Sequence, residues 1–283
     1  MVDSPKRVVL CAPEVDNLRR LVEQGLIDRI RTIPLGEVTI DGAVELACSW
    51  WSWQHDGQAA ILAQLAQWAR EHELLGRVWA ALRDGYEDDV DLFAAPSVEV
   101  RAAPRDKAAI SSTTWSTYFS RFTRSLITNG GFEKKLSYGI TRAFEEMVDN
   151  VVQHSGITTS AAAPGVVGYH VHRGEMTYAV GDCGRGVLES LRTNPQWREL
   201  LTSRAALDAA ICAHATRRLG EKEGYGFQEV HRSLADVNGR LRFRSGDAVL
   251  ILDGRGNARQ GIRRNSPPLA GFQLSVSCAH GGR

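Results

Sequence analysis

Residues 144 to 155, FEEMVDNVVQHS, place Glu146, Asn150 and His154 at successive steps of four, with Asp149 and Gln153 beside them. On a helix that spacing puts a carboxylate, an amide and an imidazole on one face. Such a set is either a solvated face or a polar site set into an apolar surface. The narrowness of the face and the apolar residues on both sides of it favour the second. A second group is Asp182-Cys183-Gly184-Arg185-Gly186, where an acid at a strand end is followed by alternating glycines. Glycines there let backbone approach a ligand while the carboxylate hydrogen-bonds it, although the same pattern also makes an ordinary turn. A third is Gly224-Tyr225-Gly226-Phe227 just before an amphipathic stretch to about Val237. A glycine-rich approach to a helix N-terminus suits phosphate, and singly it is a weak signal.

The elements that must position these groups follow from periodicity. Leu136, Ile140, Phe144, Met147, Val148, Val151 and Val152 form an apolar stripe that predicts a helix from about Phe132 to His154. SSTTWSTYFSRFTRSLI before it predicts another helix, with hydroxyl residues available as N-caps, and TNGG separates the two. GVVGYHVHRG and EMTYAVGD predict two strands joined by a tight Arg-Gly turn, the second ending at Asp182. NGRLRFRSGDAVLILDGRG and GFQLSVSCAH predict closing strands separated by a loop rich in Arg, Gly and Pro. Arg240, Arg242 and Arg244 alternate on the first of these, which reads as a solvated basic sheet face in preference to a nucleic-acid or phosphoprotein contact.

In order and spacing, a helix with E-x-x-D-N-x-x-x-H, a strand with D-x-G-x-G, a variable segment and G-x-G-F at a helix start resemble the gyrase, histidine-kinase and MutL (GHKL) ATPase superfamily, the Bergerat fold. The resemblance covers about 110 to 280, and its compact layout is most similar to anti-sigma-factor serine kinases and stand-alone ATP-binding domains. It implies an α/β fold, an α+β two-layer sandwich with a mixed sheet covered by helices on one face, and ATP and magnesium as cofactors. Asn150 is then the magnesium contact and Glu146 the catalytic carboxylate, polarising a water or a protein hydroxyl for attack on the γ-phosphate. Asp149 lies beside the nucleotide, and His154 closes the motif. Asp182 accepts from the adenine amino group, Gly184 and Gly186 give base and ribose room, and the amides of Gly224, Tyr225, Gly226 and Phe227 cradle phosphates. Residues 188 to 223 would hold a lid, in which Thr216, Arg217, Arg218 and Lys222 can reach phosphate or simply form a solvated charge run. One departure stands out: Gly271-Phe272 occupies the place where the family often has Gly-Thr.

Composition limits the alternatives. In 283 residues, 34 Lys+Arg against 33 Asp+Glu give a formal net charge of +1, so no global field marks a nucleic-acid or membrane partner. Cys11, Cys48, Cys183, Cys212 and Cys278 are odd in number and lack a close CxxC pair, which disfavours a disulfide framework or zinc cluster and fits a reducing cytoplasm. The N-terminus turns acidic before any apolar run of signal-peptide length, so the reading is a soluble, unexported chain.

The first half reads as a smaller α/β domain, 1–104, regulatory or partner-binding and faintly STAS-like, ahead of an ATP-binding domain, 105–283. RVVLC predicts a short strand; Val15, Leu18, Leu21, Val22 and Leu26 follow at helical spacing; EVTIDGAVEL alternates like a strand pair. In QAAILAQLAQWAREHELL, Ile61, Leu62, Leu65, Trp68 and Ala69 share a helical face, and Trp50, Trp51 and Trp53 of CSWWSW read as core in preference to an aromatic binding surface. Three activities remain open: an anti-sigma-type Ser/Thr kinase acting on a protein partner, a slow ATPase reporting nucleotide state to the first half, and a nucleotide-binding interaction module with little turnover. Glu146 favours the first two. A homodimer is compatible with each.

Overall fold

The computed structural model describes residues 7–84, 97–104, 106–154, 165–212, 239–253 and 261–280. The N-terminal part runs β1 (Val8–Leu10), α1 (Ala12–Glu23), α2 (Ile27–Arg31), β2 (Leu35–Val38), α3 (Ile40–His55), α4 (Ala59–Glu71) and α5 (Glu73–Asp84). Then follow β3 (Val98–Ala102), α6 (Lys107–Ile110), α7 (Thr113–Thr128), α8 (Lys134–His154), β4 (Gly165–His172), β5 (Glu175–Asp182), α9 (Gly186–Arg192), α10 (Ser203–Cys212), β6 (Arg240–Asp253) and β7 (Ile262–Ala279). β1 and β2 pair in parallel, and the other strands form a five-stranded sheet in the order β3-β4-β5-β7-β6.

Every pairing in that sheet is antiparallel, which corrects the expectation of a mixed sheet. The described helices of 105–283 that join a core pack on one face of the sheet, and the opposite face is covered by helices of the N-terminal half, so neighbouring strand residues bury into different cores. Val167, Tyr169, Tyr178, Val180, Phe243 and Leu274 pack with α7, α8 and α10. Their neighbours Val166 and Ala179, with Val100 and Cys183, pack with residues of α1, α3, α4 and α5. Small residues allow that second layer to approach: a Cβ on Gly181 would stand 2.9 Å from both Val44 Cγ1 and Cys48 Sγ of α3.

EVTIDGAVEL is not a strand pair. Only its first residues end β2; Thr39 then caps α3, its hydroxyl accepting from the Gly42 amide at 3.4 Å. Ile40, Ala43, Val44 and Ala47 continue at helical spacing into the core, and tertiary burial decides the element. Trp50 and Trp53 are buried. Val98–Ala102, on the N-terminal side of position 104, is an edge strand paired with β4. Within the part of the chain assigned above to a lid, which begins at 188, most of α9 and all of α10 are formed, and both pack on β6. Of the stretch read as an Arg/Gly/Pro loop, residues 262–270 belong to β7, where the pairing steps from Gly246↔Leu269 to Ala248↔Asn265 and so passes Pro267 and Pro268 at the irregularity.

The alternating arginines are also reassigned. Arg240 is exposed, but Arg242 and Arg244 are 7% and 0% exposed and meet carboxylates from α1 and α3. Arg242 donates to Asp16 at 2.7 Å and to Glu45, and Arg244 pairs with Asp16 at 2.7 Å and with Glu45. Ser266 Oγ donates to Asp16. Burial works against the Arg242 charge, but Glu45 and Asp16 outweigh it and hold that guanidinium above its usual pKa. A second cluster sits on the other face: Glu99, fully buried, accepts from Arg101 at 3.0 Å, from Arg121 of α7 and from the Tyr169 hydroxyl at 2.9 Å. No described helix is long and apolar enough to cross a membrane.

Candidate functional site

Asp182 ends β5 on the face that carries Tyr178 and Val180, toward α8. It pairs in register with Gly165 on one side and Phe272 on the other. A Cβ on Gly165 would lie 3.3 Å from Val151 Cγ1, so the turn of α8 that holds Val151 sits over this end of the sheet. Asn150 precedes Val151, and Glu146 stands one turn back; both are half-buried, as is Asp149. Val148 and Val151 anchor the helix in the core beside them. The Asn150 amide nitrogen approaches the Met147 sulfur at 3.8 Å. His154 is the last residue of α8. The structure therefore brings Glu146, Asp149 and Asn150 to the same end of the sheet as Asp182.

The Asp182 carboxylate is 2% exposed and accepts from the Gly184 amide at 2.7 Å. Burial raises its pKa from the ordinary 3.8 to about 7, against the lowering effect of the Gly184 and Phe272 amides. The folded value lies above the ordinary one, so the stability from this group is complete below that ordinary value and is lost as pH rises through about 7. Between pH 5 and pH 8 the protein is expected to lose on the order of 2–3 kcal/mol relative to Asp182→Asn, read by urea unfolding. Identical pH profiles for the two proteins would refute the assignment.

The glycines after Asp182 serve the fold as well as any ligand. Gly186 has φ +74°, and a Cβ there would come within 2.8 Å of Ser245 Oγ and 2.9 Å of the Gly271 carbonyl. Ser245 Oγ donates to that carbonyl at 2.9 Å and accepts from the Val187 amide at 2.9 Å, tying the loop to β6 and β7. Gly271, φ +74°, abuts Asp182 so closely that a side chain would overlap its carbonyl oxygen. Phe272 is buried edge-on to Phe243 with ring centroids 5.0 Å apart, so this position offers its backbone N–H and no hydroxyl. Spacing alone does not disclose the Ser245 latch. Cys183 points to the opposite face, where a hydrogen bond to Cys48 and burial hold its thiol well above the usual range.

Thr216, Arg217, Arg218, Lys222, Gly224, Tyr225, Gly226 and Phe227, expected as lid and phosphate cradle, lie outside the described residues. Among the described residues no cluster of three or more His, Cys, Asp or Glu forms a metal site. A magnesium ion carried on a nucleotide requires no such cluster, since it keeps waters and phosphate oxygens and takes few protein ligands. Half-buried Asn150 and Glu146 offer an amide oxygen and a carboxylate, which fit that arrangement. No protein-family model and no curated protein matches the sequence.

Proposed function

We propose that residues from about 110 to 280 form a Bergerat-type Mg-ATP-binding unit, similar in kind to the GHKL ATPases, and that the chain is a regulatory protein kinase of anti-sigma type acting on Ser or Thr of a protein partner. The observation that supports this best is the placement of the α8 turn bearing Asn150 over the strand end bearing buried Asp182. In this reading Asp182 recognises the adenine amino group, Asn150 supplies an oxygen to magnesium, and Glu146 draws the proton from the attacking hydroxyl. Bound magnesium would neutralise charge on the phosphates. The proposed phosphate cradle is Gly224 to Phe227.

A slow ATPase switch coupled to the N-terminal helices is the second reading, favoured by the direct packing of α3 on β4, β5 and β7. Thermal unfolding with ATP and magnesium, beside GTP and magnesium-free controls, tests the ligand. At about 100 times the dissociation constant, ATP should add roughly 2.7 kcal/mol of stability. No shift at about 1 mM ATP, a concentration that should stabilise any site of micromolar affinity, would remove the nucleotide reading. Glu146→Ala should keep the shift and lose turnover; full turnover in that variant would move the base elsewhere.

A further inference from the structure

Away from that site, a cleft of about 530 Å³ opens between α1, α3 and the Pro268–Ala270 part of β7. The volume suits a small molecule. Arg19 lines it and is 6% exposed, with its guanidinium 5.3 Å from the Trp53 ring centroid and Nη2 donating to the Pro268 carbonyl. Nε and Nη1 are buried and find no acceptor among the described residues. Leaving such donors unmatched is costly, more so on a charged group. The nearby buried carboxylates are already engaged, since Asp16 and Glu45 pair with Arg242 and Arg244. Burial and the Arg244 charge pull Arg19 down to about 10, which leaves it cationic at neutral pH.

The rim has the opposite sign. Glu23 and Asp56 line the cleft and are exposed, while buried Leu269 and Trp53 give an apolar wall. A polyanion such as a nucleotide would reach the guanidinium only past two carboxylates. A molecule with an inner carboxylate, an outer ammonium and a short apolar body satisfies all three features. We propose that the cleft binds a free amino acid as its zwitterion, the carboxylate on Arg19, the ammonium toward Glu23 and Asp56, and an aliphatic side chain against Leu269.

Titration calorimetry of the full chain at neutral pH tests this with L-leucine, L-valine and L-alanine, and with the half-ligands isoamylamine and 4-methylpentanoate. At least one amino acid should bind with a dissociation constant of about 1 mM or tighter, and each half-ligand at least about tenfold more weakly. Arg19→Gln should abolish binding. Because Arg19 is buried, Glu23→Gln on the exposed rim is the second variant; it should weaken leucine about three- to tenfold with unchanged melting. No binding by any amino acid at about 10 mM overturns the proposal. So does 4-methylpentanoate binding as tightly as leucine, or a Glu23→Gln, Asp56→Asn double variant of unchanged affinity. The cleft shares no residue with α8 or Asp182, so these outcomes stand whether or not ATP binds.

Discussion

Glu45→Ala is expected to cost about 3–5 kcal/mol of folding stability, enough to unfold much of the population in a protein of ordinary margin. Glu45 is 1% exposed and meets both Arg242 and Arg244, so its loss leaves two guanidiniums sharing Asp16 in a region closed to water. The penalty comes from stranded charge, since a buried ion pair contributes little net stability when both partners could be replaced by apolar groups. The control is Asp28→Ala, which removes a pair with Arg31 whose side chains are 94% and 52% exposed. That change should cost under about 1 kcal/mol. Urea midpoints for the two variants give the comparison, and a Glu45→Ala protein as stable as Asp28→Ala would show that water reaches the cluster.

Asn150→Ala should remove magnesium-dependent ATP binding while leaving the fold intact. Asn150 is half-buried on α8 and its amide nitrogen meets only the Met147 sulfur among the described partners. Alanine favours the helix, so melting without ligand should hold or rise slightly. Affinity for Mg-ATP should fall by about 100-fold or more, roughly 2.7 kcal/mol, with a smaller effect on any magnesium-free binding. Calorimetry with and without the metal reads both. Equal losses in the two conditions would assign Asn150 to the nucleotide itself, and no loss would take it out of the site.

The elements with one buried face and one clear period are legible in the sequence. The stripe from Leu136 to Val152 predicts a helix whose ends fall within two residues of Lys134–His154, and the Arg-Gly turn stands at Arg173 and Gly174, both at positive φ. What misleads is a position whose neighbour in space is distant in sequence. Arg242 and Arg244 read as a solvated face because alternation shows only that they share a side, and burial of that side depends on Asp16 and Glu45 far away in the chain. Likewise EVTIDGAVEL alternates for a few residues, yet Thr39 caps a helix there. At the candidate site the spacing of Glu146, Asn150 and Asp182 was readable. The packing of Gly186 and Gly271 against each other was not, since it depends on where β6 and β7 meet the loop.

The buried cluster also imposes an order on synthesis. Glu45 and Arg242 are 197 residues apart in the chain, and Asp16 and Arg242 are 226 apart. At about 5–20 residues per second, the acids leave the ribosome on the order of ten seconds or more before their arginines exist. Until then α1 and α3 can close their apolar face only by dehydrating unmatched carboxylates. The nascent N-terminal segment therefore has reason to stay open, and its final docking waits for β6 and β7 to be made.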